Sequence, residues 1–192
     1  MGNIIKRNSD VTERNSAVTE CNITAADFRS KAWRTSQEGI DLIKQFEGLR
    51  TDAYLCPAGV WTIGYGHTSG VRKGAHITEQ YATLLLWSDL APVERSINQL
   101  DVVLTQHQYD ALASFVFNVG VRAFLNSTLC KCLLNGEYER VPAELRRWNK
   151  VKGETCAGLV RRREAEIKLW ETCAGLERKR EAEIGLWDTE QK

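Results

Sequence analysis

Apolar residues recur every three or four positions along most of this chain, which is the spacing of an amphipathic helix. The first such stretch follows Thr35-Ser-Gln-Glu38, which has the form of a capping box at a helix N-terminus. Its apolar positions are Ile40, Ile43 and Phe46. Because Gly48 interrupts the pattern, we predict a short helix that ends at Glu47.

Further stretches beyond residue 77 also predict helices. Thr78 is a predicted N-cap, and Pro92 predicts a break or kink in the helix that follows. Two later apolar faces end at Gly120 and Gly136, since glycine commonly terminates helices. The residues that define the predicted faces are Tyr81, Leu84 and Leu85, then Tyr109, Leu112 and Val116, then Leu129 and Leu133, and finally Leu145 and Trp148.

The hydrophobic period changes between Thr51 and Thr68. Pro57-Ala-Gly59 is a turn signal, and the residues from Val60 to Gly66 alternate large apolar with small side chains. A period of two is typical of a half-buried strand, so this stretch predicts a β-hairpin. We therefore expect an α+β fold that is predominantly helical, with a small N-terminal β-hairpin sheet and a helical lobe.

Both ends of the chain carry tandem repeats. Residues 7–13 and 14–20 are identical at six of seven places. They lie in a polar arm, residues 1–33, with too few large apolar side chains to offset its ordering entropy, which predicts a mobile or loosely docked extension. Residues 154–170 recur as residues 171–187 with three differences. Two copies are too few for a solenoid, so we predict a local duplication.

Length and charge narrow the class of protein. The chain has 192 residues, enough for one domain, and its formal net charge of +1 argues against a nucleic-acid partner. Its apolar runs are far shorter than the roughly 20 residues that span a bilayer, and it has no signal-peptide core. We expect a monomer made in the cytoplasm, with no stable membrane insertion.

Cysteine and histidine usage predicts neither a disulfide framework nor a metal centre. The six cysteines lack a CxxC spacing, and the three histidines are not at helical spacing from one another. Without an export signal the cysteines should begin as free thiols. The sequence therefore predicts no metal and no cofactor.

Glu47 is the candidate acid of the chain. A carboxyl group at a helix end, directly before a Gly-rich hairpin, has the helix on one side and a cleft on the other, which suits general acid catalysis. On this pattern alone, a solvated helix-end glutamate is the commoner explanation. The hairpin glycines are explained equally well by turns and strand packing, and their spacing matches no phosphate-binding loop.

Six segments together form a more specific pattern. They are Phe46-Glu-Gly-Leu-Arg50, residues 53–68, Phe117-Asn-Val-Gly120, Asn126-Ser127, Trp148 and residues 158–164. This pattern closely resembles the phage-type lysozymes, the endolysins of glycoside hydrolase family 24, from about Ser36 to Trp170. That family has a glutamate, eight residues, an aspartate or cysteine, five residues and a threonine. Here the spacing puts Glu47, Cys56 and Thr62 in register.

The resemblance implies a lysozyme-like domain over residues 34–170 that hydrolyses the β-1,4 bond between N-acetylmuramic acid and N-acetylglucosamine in bacterial peptidoglycan. It implies Glu47 as the general acid, with Cys56 and Thr62 holding the water that attacks the sugar. It also implies an enzyme that waits in the host cytoplasm and reaches the periplasm through a membrane pore. The implied cleft-lining residues are Thr68, Phe117, Asn118 and Ser127.

Other positions follow from the same resemblance. Trp148 is expected in the core rather than against a sugar, and His67 with Asp89 is expected to form an ion pair beneath the hairpin. The first copy of the C-terminal duplication, residues 154–170, stands where the family has its closing helix. A shift of 17 residues turns a continuous helix by about 260°. We therefore predict a break after the first copy, with residues 171–192 as a separate, weakly docked helix and tail.

Cys56 stands where many members of that family carry aspartate. A thiol is only a few per cent ionised near pH 7 unless its pKa is lowered. Either the Cys56 thiolate is stabilised, or water positioning tolerates a neutral group. A small buried hydrophobe at Cys56, and Asp52 as the second carboxylate, remain open alternatives. Cys21 could also reach Cys56 in an oxidising periplasm and make the activity redox-dependent.

Two rival functions fit the same residues. One is a catalytically impaired lysozyme-fold protein that binds peptidoglycan or serves as a scaffold, since a fold does not fix a function. The other is a lytic transglycosylase, in which the muramic 6-hydroxyl replaces the attacking water. Glu47 and Thr62 together favour retained chemistry, and the Gly-rich hairpin with its Glu/Cys/Thr spacing favours the hydrolase.

Overall fold

The predicted first helix is present and ends at the predicted residue. The computed structural model describes residues 32–172, and in it α1 spans Gln37–Glu47. Gly48 closes the helix with a φ of 71°, a conformation that favours glycine, and its N–H donates to the carbonyl of Lys44. This stop places Glu47 at the last position of α1.

The N-cap of α1 is Ser36, so the capping box predicted at Thr35 is wrong by one residue. The Ser36 side chain accepts from the N–H of Gly39 at 3.4 Å. The backbone N–H of Thr35 instead donates to the Glu94 carboxylate at 2.9 Å, and that of Ser36 donates to Asp110 at 2.8 Å. Side chains of later helices therefore help to set where α1 begins, which a local motif does not reveal.

The predicted β-hairpin follows directly. β1, Arg50–Leu55, and β2, Trp61–Gly64, pair antiparallel. The N–H of Cys56 donates to the carbonyl of Val60 at 3.0 Å, and the N–H of Gly59 donates back to the Cys56 carbonyl at 2.8 Å. These two bonds close the turn that the Pro-Ala-Gly signal predicts.

A second, smaller hairpin was not predicted. β3, Lys150–Val151, pairs antiparallel with β4, Glu154–Thr155. Its turn residues Lys152 and Gly153 have positive φ angles of 51° and 88°, which suits a two-residue hairpin turn. Strands of two residues are too short to produce an alternating pattern, so the hydrophobic period carries no sign of them.

The rest of the described chain is helical. Its elements are α2 Glu79–Asn98, α3 Gln106–Val119, α4 Val121–Leu125, α5 Thr128–Leu134, a 3-10 turn Tyr138–Arg140, α6 Val141–Arg146 and α7, residues 157–172. Thr78 caps α2 as predicted, because its hydroxyl accepts from the N–H of Tyr81. The predicted break at Pro92 is wrong, since α2 continues through it. Pro92 and Ser88 are exposed, so water can bond the Ser88 carbonyl that lacks a helical donor.

α3 lies at the centre of the core. Its residues 109–116 are all buried. They include Asp110 and Ser114, which need partners because buried polar groups are costly when unpaired. Trp148 packs edge-on against Phe115 with ring centroids 5.5 Å apart, as expected of a core residue. The fold is therefore α+β and predominantly helical, as predicted.

The predicted pair beneath the hairpin is also present. Nδ1 of His67 lies 2.9 and 2.8 Å from the two carboxylate oxygens of Asp89 on α2. The backbone of His67 pairs with Ile63 of β2. This contact ties the loop after the hairpin to α2.

α7 closes the core with the first copy of the duplicated segment. Ile167, Leu169 and Trp170 are buried, and the Trp170 ring stacks on Tyr138 with centroids 6.5 Å apart. The first copy therefore supplies a large apolar surface to the domain.

The predicted bounds 1–33, 34–170 and 171–192 stay predictions. Almost all of the first and last segments lies outside the described residues, and so does Cys21. Within residues 32–172, no helix is long and apolar enough to cross a membrane.

We predict that truncation after Trp170 preserves both the fold and the activity, because α7 keeps its buried residues. Deletion of residues 154–170 should destabilise the domain, since loss of one large core side chain costs roughly 2 to 5 kcal/mol. Thermal unfolding followed by circular dichroism measures both effects. The deletion is harmless only if the second copy slides into the place of the first. Unfolding of the truncated chain together with a stable deletion variant would reverse the assignment of the two copies.

Candidate active site

Glu47 is held by an arginine from the far end of the described chain. Its Oε1 atom accepts a hydrogen bond from Nη1 of Arg162 at 2.5 Å. The Glu47 side chain is 23% exposed, whereas that of Arg162 is 4% exposed. The carboxyl group therefore reaches solvent on one side and a buried cation on the other.

Cys56 and Thr62 lie together on the hairpin that follows Glu47. The strand register puts Tyr54 opposite Thr62, and Cys56 pairs with Val60 two residues further along. Residues two apart on a strand share a face, so Cys56 and Thr62 are diagonal neighbours on one face of the hairpin. Thr62 is buried, and its Oγ1 lies 3.0 Å from the Val60 carbonyl oxygen.

Glu166 anchors Arg162 from inside the core. Its side chain has no exposed surface and lies one helical turn after Arg162, whose Nε is 3.2 Å from Glu166 Oε1. Arg163 Nε is 3.0 Å from Glu166 Oε2. Ser114 of α3 donates its hydroxyl to Glu166 at 2.7 Å, and its backbone carbonyl accepts from Arg162 Nη2 at 3.1 Å. The charges of Glu47, Arg162, Arg163 and Glu166 sum to zero.

Burial shapes the protonation of this network. It lowers the pKa of Arg163 to about 10, and it raises the pKa of Glu166, while the two arginines oppose that rise. An ion group of this kind gains little stability over an apolar core of the same shape, but loss of one member leaves an unpaired buried charge. The four residues therefore behave as a unit.

Three of the predicted cleft residues lie around this network and the hairpin. Thr68 is exposed in the loop after β2, and Phe117 is half-buried near the end of α3. Asn118 is exposed, and its side-chain oxygen accepts from Arg163 Nη2 at 2.8 Å. Asn118 is thus joined to the same network as Glu47.

Ser127 has a structural role as a helix N-cap. It is buried, its hydroxyl donates to the Phe124 carbonyl at 2.6 Å, and it accepts from the N–H of Cys130 at 3.0 Å as the N-cap of α5. These contacts do not test its predicted role in binding the glycan, which stays a prediction.

Asp52 forms a pair with His76. Its carboxylate lies 2.8 Å from Nδ1 of His76, and both side chains are largely exposed. Asp52 thus has a partner of its own on the side of His76, and its alternative role as a second carboxylate stays a prediction. Among the described residues, no set of three His, Cys, Asp or Glu side chains is placed to hold a metal ion.

Comparison with known proteins identifies the family. The phage lysozyme family model matches residues 44–166. The chain belongs to the phage lysozyme family. The endolysin of Acyrthosiphon pisum secondary endosymbiont phage 1 is 47% identical over 141 residues, which cover 71% of this chain and 97% of that protein.

Solved structures agree with this assignment. The muramidase domain of SpmX from Asticaccaulis excentricus has a TM-score of 0.69 at 40% identity, covering 72% of this chain and 98% of that chain. A mutant lysozyme of phage P22 has a TM-score of 0.67 at 35% identity, covering 73% of this chain and 99% of that chain. This member of the phage lysozyme family is a glycoside hydrolase of the lysozyme type, an enzyme class that acts on peptidoglycan.

The hairpin of this lysozyme changes the chemistry of Cys56. The backbone N–H groups of Val60 and Ala58 lower the pKa of the Cys56 thiol, and the Thr62 hydroxyl adds to this effect. Partial burial raises the pKa of the thiol, but this effect is smaller than that of the two N–H groups. The thiolate therefore forms at a lower pH than that of an ordinary cysteine, and it carries a negative charge as aspartate would.

The sequence analysis did not predict the ionic network, although a signal was present. Arg162 and Arg163 stand four and three residues before Glu166, which are the spacings of side-chain pairs on one helical face. Such a pattern normally indicates exposed pairs. Only the packing of α7 against α3 reveals that this face points inward.

We predict that iodoacetamide alkylates Cys56 at a lower pH in the folded protein than in the unfolded chain. The reason is that only the folded hairpin supplies the N–H donors that stabilise the thiolate. Peptide mapping by mass spectrometry across a pH series measures the rate at this one residue, and protein in concentrated urea is the matched control. Equal pH dependence in the two states would show that the folded hairpin does not stabilise the Cys56 thiolate.

Proposed function

We propose that this chain is an endolysin that hydrolyses the β-1,4 bond between N-acetylmuramic acid and N-acetylglucosamine. Glu47 is the general acid, and Cys56 with Thr62 holds the attacking water. The observation that carries the proposal is the partly exposed carboxyl of Glu47, held by Arg162 directly before a hairpin that presents Cys56 and Thr62 on one face.

The proposed reaction assigns each proton. Glu47 gives its proton to the glycosidic oxygen while the bond from that oxygen to the anomeric carbon breaks. The oxygen of a water molecule bonds to the anomeric carbon, and the Cys56 thiolate accepts the proton that this water releases. Thr62 orients the water through its hydroxyl. Solvent then returns the proton from Cys56 to Glu47.

Substrate contacts complete the proposal. The glycan lies along Thr68, Phe117 and Asn118, with Ser127 as a further predicted contact. The protein acts as a monomer. It is made in the host cytoplasm and reaches the peptidoglycan of the periplasm after a membrane pore opens.

We predict that Glu47→Gln lowers peptidoglycan cleavage by about 100-fold or more, because the amide keeps the shape but has no proton to donate. Glu38→Gln, on the exposed first turn of the same helix, is the matched control and should cleave normally. Clearing of cell-wall suspensions measures the rate, and circular dichroism checks that both variants fold. Near-normal clearing by Glu47→Gln would reject Glu47 as the acid.

Mass spectrometry of the released fragments separates the rival functions. Reducing muramic ends are expected from a hydrolase, whereas 1,6-anhydro ends would identify a lytic transglycosylase. Binding of peptidoglycan without any released fragment would identify a catalytically impaired scaffold protein. The same measurement therefore tests both the activity and the type of reaction.

A variant series tests the role of Cys56. We predict that Cys56→Asp matches or exceeds the parent activity, because a carboxylate is charged at all working pH values. Cys56→Ser should retain part of the activity through its hydroxyl, and Cys56→Ala should lose most of it. Initial rates of clearing at fixed pH rank the three variants. A fully active Cys56→Ala enzyme would show that Cys56 is a packing residue and does not act in the reaction.

A further inference from the structure

The contact between Arg162 and Glu47 sets the position of the carboxyl group that the proposed mechanism uses. A general acid must lie within hydrogen-bond reach of the atom that it protonates. Nη1 of Arg162 lies 2.5 Å from Oε1 of Glu47, so whatever orients Arg162 also positions Glu47. The two buried arginine charges also need an offset within the protein, because an unpaired buried charge is costly.

Glu166 is placed to provide that offset. It lies within ion-pair distance of both guanidinium groups, 3.2 Å from Arg162 and 3.0 Å from Arg163. Its side chain is completely buried, so its charge is screened by water far less than an exposed charge would be. It also has no path to a polysaccharide, which excludes direct contact with the substrate.

We propose that Glu166 is a positioning residue of the active site, which fixes the Arg162 guanidinium against Glu47 and offsets the charge of the two buried arginines. This inference rests on the proposed role of Glu47 as the general acid. It adds a residue that acts on the reaction without touching the substrate.

The geometry of Arg162 supports this role. Each of its three guanidinium nitrogens has a separate partner: Nη1 donates to Glu47, Nε to Glu166, and Nη2 to the Ser114 carbonyl. A planar guanidinium with three fixed contacts cannot rotate, so the position of Nη1 is set by the other two. Glu166 therefore determines where Glu47 is held.

The groups that face Glu166 are few. Arg162 and Arg163 come from its own helix, Ser114 comes from α3, and Glu47 at the end of α1 is reached through Arg162. Asn118 is joined through Arg163 Nη2. Loss of the Glu166 charge would weaken its hold on Arg162 and leave the guanidinium freer to turn away from Glu47.

The test compares Glu166→Gln with Glu164→Gln in the full chain. Glu164 is the matched control, because it lies on the same helix but forms a half-exposed pair with Arg146. With soluble peptidoglycan oligosaccharides, Glu166→Gln should lower kcat at pH 7 about 10-fold or more and change KM less than 3-fold. Glu164→Gln should match the parent in both kcat and KM.

The split between kcat and KM separates positioning from a purely structural role. A folded Glu166→Gln enzyme with the parent kcat would overturn the inference. So would a rise in KM as large as the fall in kcat. An inactive parent protein would instead reject the proposed function, so the two failures are distinguishable.

A second variant covers the case in which Glu166→Gln does not fold. Ser114→Ala removes the hydroxyl that donates to Glu166 but leaves all four charges in place. We expect a several-fold lower kcat with little change in KM. Ser96→Ala is its control, since within residues 32–172 the buried Ser96 hydroxyl bonds to the Val93 carbonyl and not to the ionic network. A Ser114→Ala enzyme that is indistinguishable from Ser96→Ala would overturn the inference.

Discussion

The charge balance around Arg162 is the constraint on which the rest of the site depends. Arg162 is separated from Glu47 by 115 positions in the chain, yet the two side chains meet because α7 packs against α3. Burial of the two arginines is tolerated because Glu166 lies within ion-pair distance of both and Glu47 lies within ion-pair distance of Arg162. The closing helix is thus both a part of the core and the part of the domain that holds Glu47.

A second constraint is local and involves the hairpin. Its tight turn directs the N–H groups of Val60 and Ala58 at the sulfur of Cys56. These donors favour the thiolate form of Cys56. The position of Glu47 depends on long-range contacts, whereas the environment of Cys56 depends on five consecutive residues.

The same ionic network distinguishes the two copies of the C-terminal duplication. The three differences between the copies are Val160 to Glu177, Arg162 to Lys179 and Lys168 to Gly185. Arg163 and Glu166 have identical counterparts in the second copy, but Arg162 has a lysine. Lysine is a point charge without a planar fork, so it cannot reproduce the three directed contacts that Arg162 makes. Only the first copy carries the arginine that binds Glu47.

The sequence by itself determined the features whose causes are local. Gly48 ends α1 at Glu47, Pro57-Ala-Gly59 makes the turn, and Thr78 caps α2, because each depends on backbone conformation or on a hydrogen bond within a few residues. The spacing of Glu47, Cys56 and Thr62 is likewise a local feature that can be read from the sequence. The tertiary structure decided the cap at Ser36, the passage of α2 through Pro92, and the burial of Arg162 and Glu166. Those outcomes depend on which surface each residue meets, and helical spacing cannot distinguish a charged face that points to water from one that points to another helix.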